Sequence, residues 1–349
     1  MAGKGNAESK AMPKRGMTDS NKLLLITIIV FVAMYAGAMI FLGEGFLKVQ
    51  TFCNLLNNNA ALIITACGLS IVMITGGIDI SVGGVVALVS MSCAVNLDYL
   101  NGNIFTSIMV ALGIGLAFGV VQGFLVAYLD IQPFIVSLAG MFFARGMTTI
   151  VHSQPFNVAN EAFQALKNTR IKLPFGSVNA KGIFVPAYVE IGVIVAIAII
   201  VILFCVLRWM KLGRSFYAVG GNQQSALMLG INVKRTRFIA QLLSGLLAGI
   251  AGYVYFMHVG SGSPSHASGM EMNAIATSII GGTLLTGGVG NIFGTFLGVL
   301  SLGLIQNIVS SIGLDQAWWT GITVAAMLCL FLVIQSVIMA QSKKKKAAV

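Results

Sequence analysis

The sequence predicts an all-α polytopic membrane protein of about ten transmembrane helices, some short or broken, in two related halves. Three observations carry that expectation. First, 57% of the 349 residues are hydrophobic and 9% are charged, where soluble proteins carry roughly 25% charged residues. No single soluble core could bury so much apolar surface. Second, the apolar residues gather into ten runs, most of them near the 20 or so residues that a spanning helix needs. Third, a Gly-rich segment recurs 211 residues further along the chain. A soluble enzyme, a secreted disulfide domain and a disordered tail protein are excluded.

Taken in order, residues 1–22 form a polar tail with five Lys or Arg, expected to be cytoplasmic. The transmembrane region covers 23–340. Leu23–Leu42 opens it. Its 20 residues suit a retained span, although Ala36-Gly37-Ala38 resembles a signal-cleavage site. Ala60–Ile74 and Val82–Val95 follow, both short for a full crossing, then Ile104–Leu129 and Phe134–Val151. The loop 152–186, with three prolines among Gln, Asn and Lys, reads as a structured outer cap or docking surface. Ala187–Val206 leads to 207–237, a long basic loop without an acid. Phe238–Val259, the short Met272–Leu285, Ile292–Val309 and Ile322–Ala340 complete the ten, and 341–349 is a basic tail. Short Gly-flanked segments in transporters are often broken or re-entrant and line the substrate path.

With ten crossings and a cytoplasmic start, 15 Lys or Arg fall inside and 5 outside. That ratio places both termini in the cytoplasm. The net charge of +11 therefore reads as membrane orientation, and no nucleic acid is expected as a partner. The five cysteines form no C-x-x-C pair and read as packing residues, and the three scattered histidines read as interfacial. No metal is expected. There is no G-x-x-x-x-G-K-[ST] phosphate loop, so the chain is not expected to hydrolyse ATP, to be an enzyme or to bind a cofactor. Nor is there a chain of buried acids of the kind proton-driven carriers use.

Few residues are left that could carry chemistry. Asp79 stands in T-G-G-I-D-I-S-V-G-G between two apolar runs. An acid there either caps the following helix or lies on the permeation path. Arg145, inside Phe134–Val151, either pairs or snorkels structurally, or lines a pore. Glu190 reads as interfacial, and Glu271 as a cap of Met272–Leu285. Thr75-Gly76-Gly77-Ile78-Asp79-Ile80-Ser81-Val82-Gly83 aligns with Thr286-Gly287-Gly288-Val289-Gly290-Asn291-Ile292-Phe293-Gly294. The paired turns also carry hydroxyl and amide groups at Thr75, Ser81, Thr286 and Asn291.

In the inner loop, Asn222 is a good N-cap and Gly230 a good C′ residue, which predicts a helix of about two turns between them. It is partly apolar. It either lies on the membrane surface or inserts into a partner's groove.

T-G-G-I-D-I-S-V-G, I-Q-P-F-I-V-S-L-A-G-M-F-F-A-R-G, G-R-S-F-Y-A-V-G-G-N-Q-Q-S-A-L-M-L-G-I-N-V and A-I-A-T-S-I-I-G-G-T-L-L-T-G-G-V-G occur in that order over about residues 50–335. They closely resemble the permease subunits of bacterial monosaccharide ABC importers of the ribose, arabinose and galactofuranose type. L-A-G-M-F-F-A-R-G and Trp318-Trp319-Thr320 are most similar to the galactofuranose-type permeases. The resemblance implies a type II importer-like fold in the bacterial inner membrane. It implies a coupling helix that docks on a cytoplasmic ATPase, carried over to Arg214, Gly221, Asn222, Ser225, Ala226, Gly230 and Ile231. It also implies a periplasmic or lipid-anchored sugar-binding protein, and a second permease copy or a related permease, all within membrane lipid. ATP would be used by the partner ATPase. A permease of this kind would hold its sugar weakly, which hydroxyl and amide groups suit better than charges, so Thr75, Ser81, Thr286 and Asn291 are path candidates beside Asp79 and Arg145, each with a structural alternative. Ile80 replaces the family's usual Leu, and Ser225 an Ala, both mild changes. A branched-chain amino acid-type ABC permease, or a stand-alone channel or carrier, is the alternative.

Overall fold

The structure, a computed structural model, describes residues 19–178, 184–313 and 317–347. The first 18 residues of the expected N-terminal tail, and Lys181 of the outer loop, lie outside them. Helices α1 (Asp19–Leu42), α2 (Glu44–Leu47), α3 (Val49–Ile74), α4 (Val82–Asp98), α5 (Ile104–Ala127) and α6 (Pro133–Val151) come first. A folded cap follows: β1 (Phe156–Asn157), α7 (Glu161–Lys167), β2 (Arg170–Val178) and β3 (Phe184–Glu190). Then come α8 (Ile191–Trp209), α9 (Lys211–Gly221), α10 (Gln223–Met228), α11 (Val233–Val259), β4 (Ser261–Gly262), α12 (Met270–Ile280), α13 (Ile292–Ser311) and α14 (Ala317–Ala347). Strands β2 and β3 pair antiparallel, as do β1 and β4. The cap strands mark one end of the bundle; α9 and α10 mark the other.

Every predicted run contains a helix, but the boundaries move. Among the described residues seven helices are long and apolar enough to cross a membrane, while α4 has 17 residues and α12 has 11. The run at Ala60–Ile74 is not short. It belongs to the 26-residue α3, which continues through Asn57-Asn58-Asn59. Asparagine disfavours helix because its amide competes for backbone groups. Here the Asn57 amide is used outside the helix, accepting from the Glu190 N–H at 2.9 Å, and the Asn59 amide shares the Leu55 carbonyl of its own helix without breaking it. The expected span at Ala187 begins instead at Ile191, because 184–190 is claimed by β3 in register with β2. The segment expected as Met272–Leu285 stops at Ile280, where Gly281 ends the helix and Gly282 takes φ +89°. The loop 207–237 is mostly helical, and α14 runs on to Ala347 through the basic stretch.

The core is α3, buried along nearly all of its length, packed among α4, α8, α11, α12 and α13. Small residues let backbones approach closely where no aqueous hydrophobic effect drives helices together. Gly115 and Gly119 of α5 cross Gly245 and Gly249 of α11. A Cβ placed on Gly245 would stand 2.6 Å from the Gly119 Cα. Hydroxyls tie three helices at one point: Ser70 of α3 bonds Ser278 of α12 at 3.0 Å and Thr295 of α13 at 2.7 Å.

The cap is pinned to the bundle. Asp98 at the end of α4 accepts from the Ala159 and Asn160 N–H groups. Phe163 stacks on Phe256 with ring centroids 4.4 Å apart, and Lys167 donates to the Val259 carbonyl.

Candidate functional site

The two copies of the Gly-rich turn meet at the α9 end. Helix α3 enters the first from the cap end and α4 leaves back toward it; α12 and α13 do the same around the second. The turns touch through backbone. The Gly288 N–H donates to the Ile74 carbonyl at 2.9 Å. A Cβ on Gly287 would stand 2.9 Å from the Gly76 Cα and the Gly220 carbonyl oxygen, and one on Gly220 would collide with the Ile74 carbonyl. Gly76 and Gly287 take φ +86° and +83°, a left-handed conformation that side chains disfavour. The end of α9, at Gly220-Gly221, is thus wedged against both turns. Tyr217 adds a hydrogen bond to the Gly290 carbonyl at 3.0 Å.

Asp79 is 2% exposed. Its Oδ1 accepts from the Ser81 N–H at 3.0 Å and the Ser81 hydroxyl at 2.6 Å, and its Oδ2 from the Ser244 hydroxyl at 2.7 Å. Gln122 of α5 donates in turn to the Ser81 hydroxyl at 2.8 Å. The N-cap of α4 is Ser81, which makes no side-chain cap bond. Asp79 serves that terminus from two residues earlier, and at the same time joins α4 to α11 and, through Ser81, to α5. Buried polar groups need such partners, since each one left unmade is costly.

The other path candidates sit differently. Thr75 is buried and donates to the Val72 carbonyl. Thr286 is exposed at the tip of the second turn. Asn291 is the N-cap of α13, accepting from the Phe293 N–H, and lines a cleft with Tyr217 and Arg208. Arg145 makes no hydrogen bond to any of these candidates. It donates to the carbonyls of His266 and Ala267 and stands 3.7 Å from the Glu271 carboxylate. It fastens α6 to the 260–269 connection at the cap end. Glu271 is in the first turn of α12, whose N-cap is Gly269, and packs on Gly83. Glu190 bonds His258 at 2.7 Å.

The inner segment 207–237 folds as two helices at an angle. Helix α9 buries Gly213, Phe216 and Val219, a three-residue spacing that presents one face to the bundle. Arg214 lies on its exposed side and donates to the Trp209 carbonyl. Gly221 is exposed and ends α9. Asn222 then caps α10, accepting from the Ser225 N–H at 2.8 Å. Helix α10 has six residues, shorter than two turns, because Gly230 at φ +77° and the Ile231 N–H bond to the Ala226 carbonyl close it early. Ala226 is buried, whereas Leu227, Met228 and Leu229 are 65%, 87% and 79% exposed. Three adjacent apolar side chains on a capped, braced tip form a surface that water does not favour.

Residues 51–332 match the model of the family described as branched-chain amino acid transport system / permease component. The chain belongs to this permease family. It is 35% identical to the inner membrane ABC transporter permease protein YjfF of Escherichia coli K12, over 91% of this chain and 93% of that one. It is 33% identical to the fructose import permease protein FruG of Bifidobacterium longum, over 96% and 97% of the two chains. It is 32% identical to the ribose import permease protein RbsC of Escherichia coli K12, over 84% and 86%. No solved structure matches it. The permease is a multi-pass membrane protein: among the described residues, seven helices are long and apolar enough to cross a membrane.

Three features of the permease escaped the sequence. Ser244 and Gln122, the partners that hold the Asp79 turn, are single polar residues inside apolar runs. That isolation was itself a signal, since polar groups at membrane depth need a partner. Helix α9 carries two glycines at its end and two more turn-forming residues beyond, which masked it as loop. The meeting of Gly220 with both Gly-rich turns is long-range and leaves no local trace.

Proposed function

We propose that the chain is the membrane-spanning permease subunit of an ATP-driven monosaccharide importer. It forms the sugar path and docks on a separate cytoplasmic ABC ATPase. The observation that carries this reading is the α10 tip: Leu227, Met228 and Leu229 are exposed on an element whose root is wedged between the two Gly-rich turns. A partner that grips the tip can push on α3, α4, α12 and α13 together. Arg214, Gly221, Asn222, Ser225, Ala226, Gly230 and Ile231 shape that contact. Relatives named as import permeases for fructose and ribose, and as a xylose transport system permease, favour a sugar cargo. Galactofuranose joins the sugars to test, through L-A-G-M-F-F-A-R-G and Trp318-Trp319-Thr320. The chain itself carries no catalytic centre and binds no cofactor in this reading; ATP is hydrolysed by the partner.

The cap end faces outward, where a periplasmic or lipid-anchored sugar-binding protein docks, and both termini are cytoplasmic, in line with the charge count. The exposed apolar faces of α5 and α6, including Val121, Phe142 and Phe143, meet lipid and a second permease copy or a related permease. A branched-chain amino acid cargo is the second reading, favoured by the family's description.

The test is a mild-detergent pull-down of the tagged chain from native membranes, with ATP-dependent uptake measured in the same cells. An ATPase that co-elutes with the native chain and not with the Met228→Asp, Leu229→Asp variant, together with uptake of a monosaccharide, supports the reading. A chain that elutes alone and transports without ATP overturns it, and uptake of leucine in place of any sugar moves the cargo to amino acids.

A further inference from the structure

A cleft of about 340 Å³ opens at the cap end between α3, α11, α12 and α13, walled on one side by the 260–269 connection. That is within the size range of small-molecule sites, about 300–1,000 Å³. Its chemistry is distinctive. Asn58, Asn59, Asn273, Gln306 and Ser268 line it together with the Tyr255 ring, and no charged side chain is among its lining residues. Of the amides, Asn59 donates to the Leu55 carbonyl. The side chains of Asn58, Asn273 and Gln306 make no hydrogen bond to protein among the described residues, so three amides converge on the cleft with donors and acceptors free. Asn273 and Gln306 are half-buried.

We propose that this cleft is a binding site for a neutral monosaccharide, the first station of the sugar within the permease. An amide both donates and accepts, as a sugar hydroxyl does, and a ring such as Tyr255 offers an apolar face to the sugar's C–H groups. The absence of charge matters in two ways. It leaves a sugar acid or an amino acid with no counter-ion. It also keeps binding weak, as a transit site requires, because neutral hydrogen bonds exchanged with water contribute little net affinity. The wall that closes the cleft is fixed from outside it: Arg145 holds the His266 and Ala267 carbonyls, and Tyr255 accepts from the Ala267 N–H at 3.4 Å. The proposal rests on the monosaccharide reading above.

The experiment is thiol labelling in cells that make the whole importer, in a background with Cys205→Ser and Cys329→Ser. Asn273→Cys, Gln306→Cys and the rim variant Asn58→Cys are each treated with a membrane-impermeant reagent from outside. Folding of each variant is checked by its yield and monodisperse elution in detergent, and uptake is measured in cells with the unaltered chain. The expected result is labelling of all three, lost when the transported sugar is supplied and kept when galacturonate is supplied. In a variant that elutes as the native chain does, labelling that the sugar leaves unchanged, or no labelling at all, overturns the cleft as a sugar site. If cells with the unaltered chain take up no monosaccharide, the functional reading fails instead, a result the uptake measurement identifies by itself.

Discussion

Ser244 of α11 donates a 2.7 Å hydrogen bond to Asp79, 165 residues earlier in the chain. The bond fixes the first Gly-rich turn to the helix that follows directly on α10. Asp79→Ala would leave the Ser81 N–H, the Ser81 hydroxyl and the Ser244 hydroxyl without their acceptor. Buried groups left unsatisfied cost about 1–3 kcal/mol each. The thermal midpoint of Asp79→Ala in detergent is expected to fall well below that of Ser244→Ala, which loses one bond, with Asp79→Asn between them. Equal midpoints for Asp79→Ala and the native chain would refute the network.

Gly220 and Gly221 are neighbours with opposite tolerance. A Cβ at Gly220 meets the Ile74 carbonyl, whereas one at Gly221 meets open space. Gly220→Ala is expected to destabilise by about 1–3 kcal/mol, the usual cost of overpacking, and to cut uptake. Gly221→Ala is expected to leave the fold intact. Melting curves of the two variants side by side decide it.

Arg145 binds two successive carbonyls with its two terminal nitrogens, a fork that lysine cannot reproduce. Arg145→Lys is expected to loosen residues 260–269 and Arg145→Gln to loosen them further. Hydrogen exchange reads this as faster amide exchange there, with 211–221 unchanged. Unaltered exchange at 260–269 would show that the connection holds itself.

His266 lies in the same connection, with Nδ1 3.1 Å from the Ser90 hydroxyl. Burial pushes its pKa below the ordinary value of 6.5. The unfolded chain therefore takes up a proton before the folded one does. The contribution of this site is full above that ordinary value and is lost as pH falls through it toward the folded value. Stability measured from pH 7 to pH 5 is expected to drop less in His266→Gln than in the native chain.

The architecture was legible because membrane helices announce themselves by apolar runs, and Asn222 and Gly230 by their cap chemistry. Asp79 was singled out from its isolation, yet its partners were not, because Ser244 and Gln122 come from distant spans and nothing local pairs them. The run read from Ala60 is the second half of a helix that starts at Val49 and passes through Asn57-Asn58-Asn59, since the Glu190 backbone that satisfies Asn57 belongs to the cap. Ala187 read as the start of a span and is strand, because pairing with β2 outweighs an apolar composition that both states share.

The glycine crossing of α5 and α11 has a mechanical consequence. Where backbones touch, at Gly119 and Gly245, no side chains stand between the helices to be compressed or re-seated. The pair has almost no slack and behaves as one stiff lever. Since α11 begins five residues after α10 ends, a displacement of a few ångströms at the α10 tip would swing α5 with it, and with α5 its lipid-facing wall. The absence of side chains at that crossing would pass a pull on one helix to the other without loss.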